Sequence, residues 1–251
     1  MPTTSSFYNY NSYARIRLLI ELGSIEASTL LKKYRASNYA KIGIMKLCIF
    51  GASGKTGVEV AILASKAGYS ITACDIYKNP KLEGLKNLEF IEVSVLDSKA
   101  VSDAMKGADA VISELGVKIG SSEPVLSMGN KNIVSNMQKL KIKRLITQSA
   151  FGAADSWQSL PFYYKLIHKT LLGPMSKDKD IMEKIVASSG LDYTIIRPIR
   201  LTSGPAKGHY RAGHSIKFGL DPHISRKDVA RFILDELKAK HYIRQAVTLT
   251  Y

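Results

Sequence analysis

Three glycines spaced G-x-x-G-x-x-G lie between an apolar run and a helical one in Lys46-Leu-Cys-Ile-Phe-Gly51-Ala-Ser-Gly54-Lys-Thr-Gly57. A strand that enters a helix through a tight turn needs glycine wherever a Cβ would block the backbone or a bound pyrophosphate. On this reading Gly51 makes the turn and Gly54 leaves room for phosphates. Gly57 lets the helix from Val58 to Ala67 pack close to the sheet, and Ser53, Lys55 and Thr56 complete the loop. The first N–H groups of that helix then face the phosphates, aided by the helix dipole. Gly54-Lys55-Thr56 also looks like the tail of a nucleoside-triphosphate loop, but that motif needs glycine at position 49, where Ile49 stands. A ligand-free glycine turn is the plainer alternative, and the strand–turn–helix context favours the dinucleotide.

From Met45 onward strands and helices alternate. Strands are expected at Ser70–Asp75, Leu88–Val93, Ala108–Gly116, Arg144–Ser149, Tyr193–Arg197 and Gln245–Thr250. Helices are expected at Lys99–Met105 behind a cap of Asp97 and Ser98, at Pro124–Leu140, and at Lys177–Ser189 before Gly190. A last helix should follow Ser225. The rhythm of apolar strands and amphipathic helices predicts an α/β, Rossmann-type, doubly wound and mostly parallel sheet with helices on both faces.

Composition sets the remaining bounds. A chain of 251 residues with 45% hydrophobic content can bury the core of one α/β domain. No apolar run reaches the ~20 residues of a membrane span, so no span and a cytoplasmic location are expected. Cys48 and Cys74 fall in predicted strands as small buried hydrophobes, and no residues have metal-ligand spacing. The net charge of +15 would suit nucleic acid, yet the lysines are dispersed and lack interleaved aromatics, so no specific nucleic-acid partner is expected.

Residues 1–44 differ from the rest. Their opening is polar and turn-prone, and Ala14 to Tyr34 has apolar residues at helical spacing. Basic residues outnumber Glu21 and Glu26 there, loosely as in an organelle transit peptide. The duller explanation is an upstream start codon with Met45 as the true first residue. The expected organisation is therefore an N-terminal extension, 1–44, and a single cofactor-binding domain, 45–251.

Five motifs in order carry a family resemblance: Gly51–Gly57, Gly129-Asn-Lys-Asn-Ile-Val134, Ser149-Ala-Phe151, Ser189-Gly-Leu-Asp-Tyr-Thr-Ile-Ile-Arg-Pro198, and Ile224-Ser-Arg-Lys-Asp-Val-Ala230. Together they resemble the atypical short-chain dehydrogenase/reductase group, with its NmrA-like and biliverdin reductase B/flavin reductase-like members. The resemblance covers Met45 to Tyr251. It implies a Rossmann domain holding NADP or NAD and reducing a small planar acceptor such as a flavin, quinone or tetrapyrrole. It further implies that Gly116 lies beside the cofactor path, Ser149 near the nicotinamide and substrate, and Arg197-Pro198 at the nicotinamide end.

Departures from the family pattern matter as much. Where NADP-binding relatives commonly carry arginine after the second strand, this chain has Asp75, which suits the ribose hydroxyls of NAD; Lys78 is long enough to reach a 2′-phosphate instead. Asp75 as a structural cap is the plainer alternative. Ser94 replaces a common aspartate near the adenine. Arg200 replaces the histidine that flavin-reductase members carry after strand six.

The Tyr-x-x-x-Lys pair of common short-chain dehydrogenases is absent. Tyr164 has His168 four residues on, and Tyr163 has Ile167. Packing of an aromatic stripe is the plainer role for these residues. A flavin or quinone can take its proton from water, so Ser149 is the first candidate donor and Tyr164 the second. The function expected is an NAD(P)H-dependent oxidoreductase. The alternative is a non-catalytic dinucleotide sensor of the NmrA-like kind. Oligomeric state is left open, as monomer or dimer.

Overall fold

A computed structural model describes residues 45–117, 123–159, 173–214, 216 and 221–251. Its first βαβ unit runs from β1 (Lys46–Phe50) through the glycine turn to α1 (Lys55–Lys66) and β2 (Ser70–Asp75). Then come β3 (Leu88–Glu92), α2 (Ser98–Ala104), β4 (Ala110–Ser113), α3 (Val125–Lys139), β5 (Arg144–Gln148), α4 (Gly173–Ala187) and β6 (Asp192–Pro198). Two short strands, β7 (Leu201–Thr202) and β9 (Ile224–Ser225), pair in parallel apart from the main sheet. Between them lies β8 (Arg211–Gly213), and α5 (Arg226–Ala239) and β10 (Gln245–Thr250) end the chain.

The main sheet has eight strands in the order β3-β2-β1-β4-β5-β6-β10-β8. Every pairing in it is parallel except the edge pair β10–β8, which is antiparallel. From β1 the chain runs outward to β2 and β3, then crosses back to β4 on the other side. That reversal of strand order falls between β1 and β4, and open α/β sheets generally bind ligands at the carboxyl ends of the strands flanking such a point.

Strand alternation explains the two cores. Leu47, Ile49, Ala73, Ile112, Ile146 and Val247 face one way and pack with α1 and α5. Cys48, Phe50, Cys74, Val111, Leu145 and Ile195 face the other and pack with α2, α3 and α4. Both cysteines are free and fully buried, with their sulfurs 3.8 Å apart. The hydrogen bond with Cys74, and burial after it, raise the Cys48 thiol pKa well above its usual value, so it behaves as core.

The alternating pattern predicted these elements to within a few residues, and it missed β7, β8 and β9. Those strands are two or three residues long, too short for periodicity to register. Among the described residues no helix is long and apolar enough to cross a membrane. None of them form a group of three or more His, Cys, Asp or Glu able to hold a metal.

Candidate functional site: the carboxyl ends of β1, β4 and β5

The glycine turn has the geometry its spacing requires. Gly51 adopts φ +74°, and a Cβ there would sit 2.4 Å from the Glu114 carbonyl oxygen. A Cβ on Gly57 would lie 2.1 Å from the Gly51 carbonyl oxygen, so only glycine lets α1 close onto the turn. Gly54 differs from both. Its backbone is ordinary (φ −68°, ψ 163°), and a Cβ would meet only the Gly51 oxygen at 3.2 Å and the Glu114 oxygen at 3.9 Å. A Cβ on Gly54 would be tight against the Gly51 carbonyl, without the outright overlap found at Gly51 and Gly57.

The helix starts differ in a way that marks the site. Asp97 caps α2 by accepting from the N–H groups of Lys99 and Ala100 (2.9 and 3.0 Å). Ser225 Oγ caps α5 by accepting from Asp228 N at 3.1 Å. Asp178 of α4 reaches across to α3, its two oxygens accepting from Leu126 N (2.9 Å) and Ser127 N (3.0 Å). The start of α1 has no side-chain cap and no acidic residue in its first turn. Its leading N–H groups, from Lys55 to Gly57, have no intrahelical partner by construction, and among the described residues no side chain caps them. An uncapped helix start behind a glycine turn is a receptor for an anion.

At the end of β2, Asp75 is engaged by the backbone. Its Oδ2 accepts from Ser53 N at 2.9 Å and its Oδ1 from Ile76 N at 2.8 Å. Ser53 is clasped by the following loop: its hydroxyl donates to the Tyr77 carbonyl (2.5 Å) and its carbonyl accepts from Asn79 Nδ2 (3.0 Å). Asp75 and Ser53 thus form one unit that fixes the glycine turn. The remaining lone pairs of the carboxylate are what a ribose hydroxyl would meet. Lys78 is exposed on this loop.

The ends of β4 and β5 hold a group of buried polar atoms without partners among the described residues: Ser113 Oγ, both carboxylate oxygens of Glu114, Gln148 Oε1 and Ser149 Oγ. Ser149 is 4% exposed and its N–H donates to the Ile196 carbonyl at 2.7 Å, so the hydroxyl is held in place and available. Glu114 is buried, and that burial pushes its pKa up to about 8. Gly116 is exposed, with nothing near the position of a Cβ.

Arg197, near the end of β6, is engaged by acidic side chains. Its guanidinium donates to Glu183 of α4 at 3.1 Å (Nε) and 2.5 Å (Nη2), and to Asp155 at 2.6 Å. The pair holds the Asp155 carboxyl below the usual carboxylate range. Beside Arg197 the Pro198 carbonyl accepts from Phe151 N at 3.1 Å. Tyr164 and His168 lie outside the described residues. Sequence reasoning passed over Glu114 and also Lys179, a partly buried lysine one turn before Glu183 on α4, whose pKa burial draws down. Lys-x-x-x-Glu at helical spacing was the available signal for Lys179, and nothing local announced Glu114.

Comparison with known proteins agrees with this geometry. A protein from Bacillus subtilis (strain 168), described as the uncharacterized sugar epimerase YhfK, is 29% identical over 217 residues, covering 82% of this chain and 94% of its own. Among solved structures, ChuY, an anaerobilin reductase from Escherichia coli O157:H7, superposes with a TM-score of 0.69 at 24% identity, covering 82% of this chain and 96% of its own. A short-chain dehydrogenase/reductase from Veillonella parvula, solved in complex with NADP, gives 0.70 at 20% identity, with coverage of 82% and 94%. These likenesses show the Rossmann-type fold. The family described as NAD(P)H-binding matches residues 51–240, from the first glycine of the turn to the end of α5. With the turn, the open start of α1 and the topological reversal beside it, that match makes this chain a member of the NAD(P)H-binding family.

Proposed function

We propose that residues 45–251 act as one NAD(P)H-dependent oxidoreductase unit that reduces a small planar acceptor of the flavin, quinone or tetrapyrrole kind. The observation that carries this reading is the uncapped start of α1 behind Gly51 and Gly54, at the reversal of strand order. The N–H groups of the first turn of α1 would hold the diphosphate. Asp75, fixed by Ser53 N and Ile76 N, would accept from ribose hydroxyls, and Lys78 is the group that would meet a 2′-phosphate. When bound, the nicotinamide supplies a hydride. The chain's own residues orient it, exclude water and present the Ser149 hydroxyl to the acceptor.

ChuY, of the same fold, is an anaerobilin reductase, and its bilin substrate supports the planar-acceptor class. A second reading, a dinucleotide sensor without turnover, is favoured by the missing Tyr-x-x-x-Lys pair: Tyr164 has His168 four residues on, and Tyr163 has Ile167. The deciding experiment is oxidation of NADH and of NADPH against a panel of flavins, quinones and bilins. Turnover with one acceptor class is expected. Tight dinucleotide binding with no turnover across the panel would select the sensor.

A further inference from the structure

Glu114 stands one residue past β4, where its N–H donates to the Phe50 carbonyl at 2.9 Å and prolongs the ladder with β1. Alternation along the strand then places its side chain on the face opposite Ser113, the face of Ile112 and α1. The residue is 5% exposed, and neither carboxylate oxygen has a hydrogen-bond partner among the described residues. An isolated carboxylate in such a place is costly when ionised and persists as the neutral acid.

The backbone of the same residue is the floor of the glycine turn. Gly51 approaches so closely that a Cβ would be 2.4 Å from the Glu114 carbonyl oxygen. Beside it on β5, one step past the register pair Ser113↔Thr147, comes Gln148, whose buried Oε1 also has no partner. An uncharged polar patch thus underlies the place where a diphosphate would lie. Charged groups on the surrounding elements include Lys55, Glu59 and Lys66 on α1, Asp75 at the end of β2, and Arg226, Lys227 and Asp228 in the first turn of α5. Among the described residues none of them forms an ion pair with Glu114, and burial is the sole cause of its displaced titration.

We infer that Glu114 is a proton-binding site coupled to the dinucleotide site: the cofactor binds the form in which Glu114 carries its proton, and an occupied glycine turn holds that proton in place. The inference rests on the dinucleotide reading above and deepens it. A diphosphate brings negative charge to the turn, and a second negative group buried under that turn would repel it with little solvent screening. Coupling of this kind is reciprocal. If ionised Glu114 weakens dinucleotide binding, bound dinucleotide must raise the proton affinity of Glu114 by the same factor. A glutamine could supply the same neutral floor, but only an ionisable group makes the affinity depend on pH.

The test is fluorescence titration of the full chain with NADH or NADPH from about pH 6.5 to about pH 9.5. Calorimetry near pH 9, in two buffers of different ionisation enthalpy, counts the protons taken up. The wild type is expected to keep a constant Kd below about pH 8 and to weaken by up to about tenfold per pH unit above it. Uptake should approach one proton per dinucleotide. Glu114→Gln should show neither the slope nor the uptake, a signature that a purely structural role would not produce. A wild-type Kd that stays flat to about pH 9.5 without proton uptake overturns the coupling and leaves the dinucleotide reading standing. So does a Glu114→Gln chain that keeps the wild-type slope. A wild type that binds neither dinucleotide at any pH overturns both. The uptake measurement on the wild type needs no variant, so a poorly folding Glu114→Gln leaves the test intact.

Discussion

Single atoms separate the three glycines that look equivalent in the sequence. Adding a methyl at Gly57 would drive it to 2.1 Å from the Gly51 oxygen, so either α1 or the turn must move. Gly57→Ala is expected to cost about 3 kcal/mol of stability, the upper part of the range for overpacked sites. Gly54→Val is only tight, its Cβ 3.2 Å from the Gly51 oxygen, and its cost should be lower, about 1 kcal/mol. Its side chain fills the space before the first turn of α1, so NADH and NADPH binding should be lost while the fold persists. Urea unfolding and fluorescence titration of the two variants check this. Equal stability losses, or a Gly54→Val chain that binds like its parent, would remove the distinction drawn between the glycines. The sequence spacing carried this part of the site well, because turn geometry is local. It could not show that the Ser53 amide answers Asp75, or that Arg197 answers Glu183. Those partners meet only after the sheet has assembled.

Between elements, the site depends on a cap supplied from a distance. The start of α3 is Pro124, which provides no side-chain cap of its own. Asp178, 6% exposed on α4, accepts from Leu126 N and Ser127 N in its place. One carboxylate therefore ties α4 to the beginning of α3, the helix that follows the end of β4. Asp178→Ala would leave two buried N–H groups without acceptors, and a loss of about 2 kcal/mol is expected. Hydrogen exchange should quicken first at Leu126 and Ser127, ahead of the rest of α3. Unchanged protection there would mean that water replaces the carboxylate and that the tie is dispensable. Apolar spacing in the sequence was enough to find α3 and α4, and it placed Asp97 and Ser225 as caps because those lie next to the helices they close. Asp178 is 52 residues from Leu126, and only the structure reveals it.

Over the whole molecule, the same buried acid sets how stability responds to pH. In the unfolded chain Glu114 titrates near 4.5, and in the folded chain near 8. Between these values the native state keeps a proton that the unfolded state has released. Stability contributed by this group is therefore complete below about pH 4.5, falls as pH rises through the window, and levels off above about pH 8. One proton corresponds to a slope of about 1.4 kcal/mol per pH unit. Asp155 works in the opposite sense: Arg197 holds its carboxyl below 3.8, so its contribution is lost only on strong acidification. The net charge of +15 adds repulsion at acid pH as further carboxylates are neutralised. These background effects are common to wild type and Glu114→Gln, and subtraction removes them. The stability of Glu114→Gln minus that of the wild type, from urea unfolding at several pH values, should rise steadily between about pH 5 and about pH 8 and then flatten. Parallel curves would mean that Glu114 titrates alike folded and unfolded, and the neutral floor beneath the glycine turn would be lost with it.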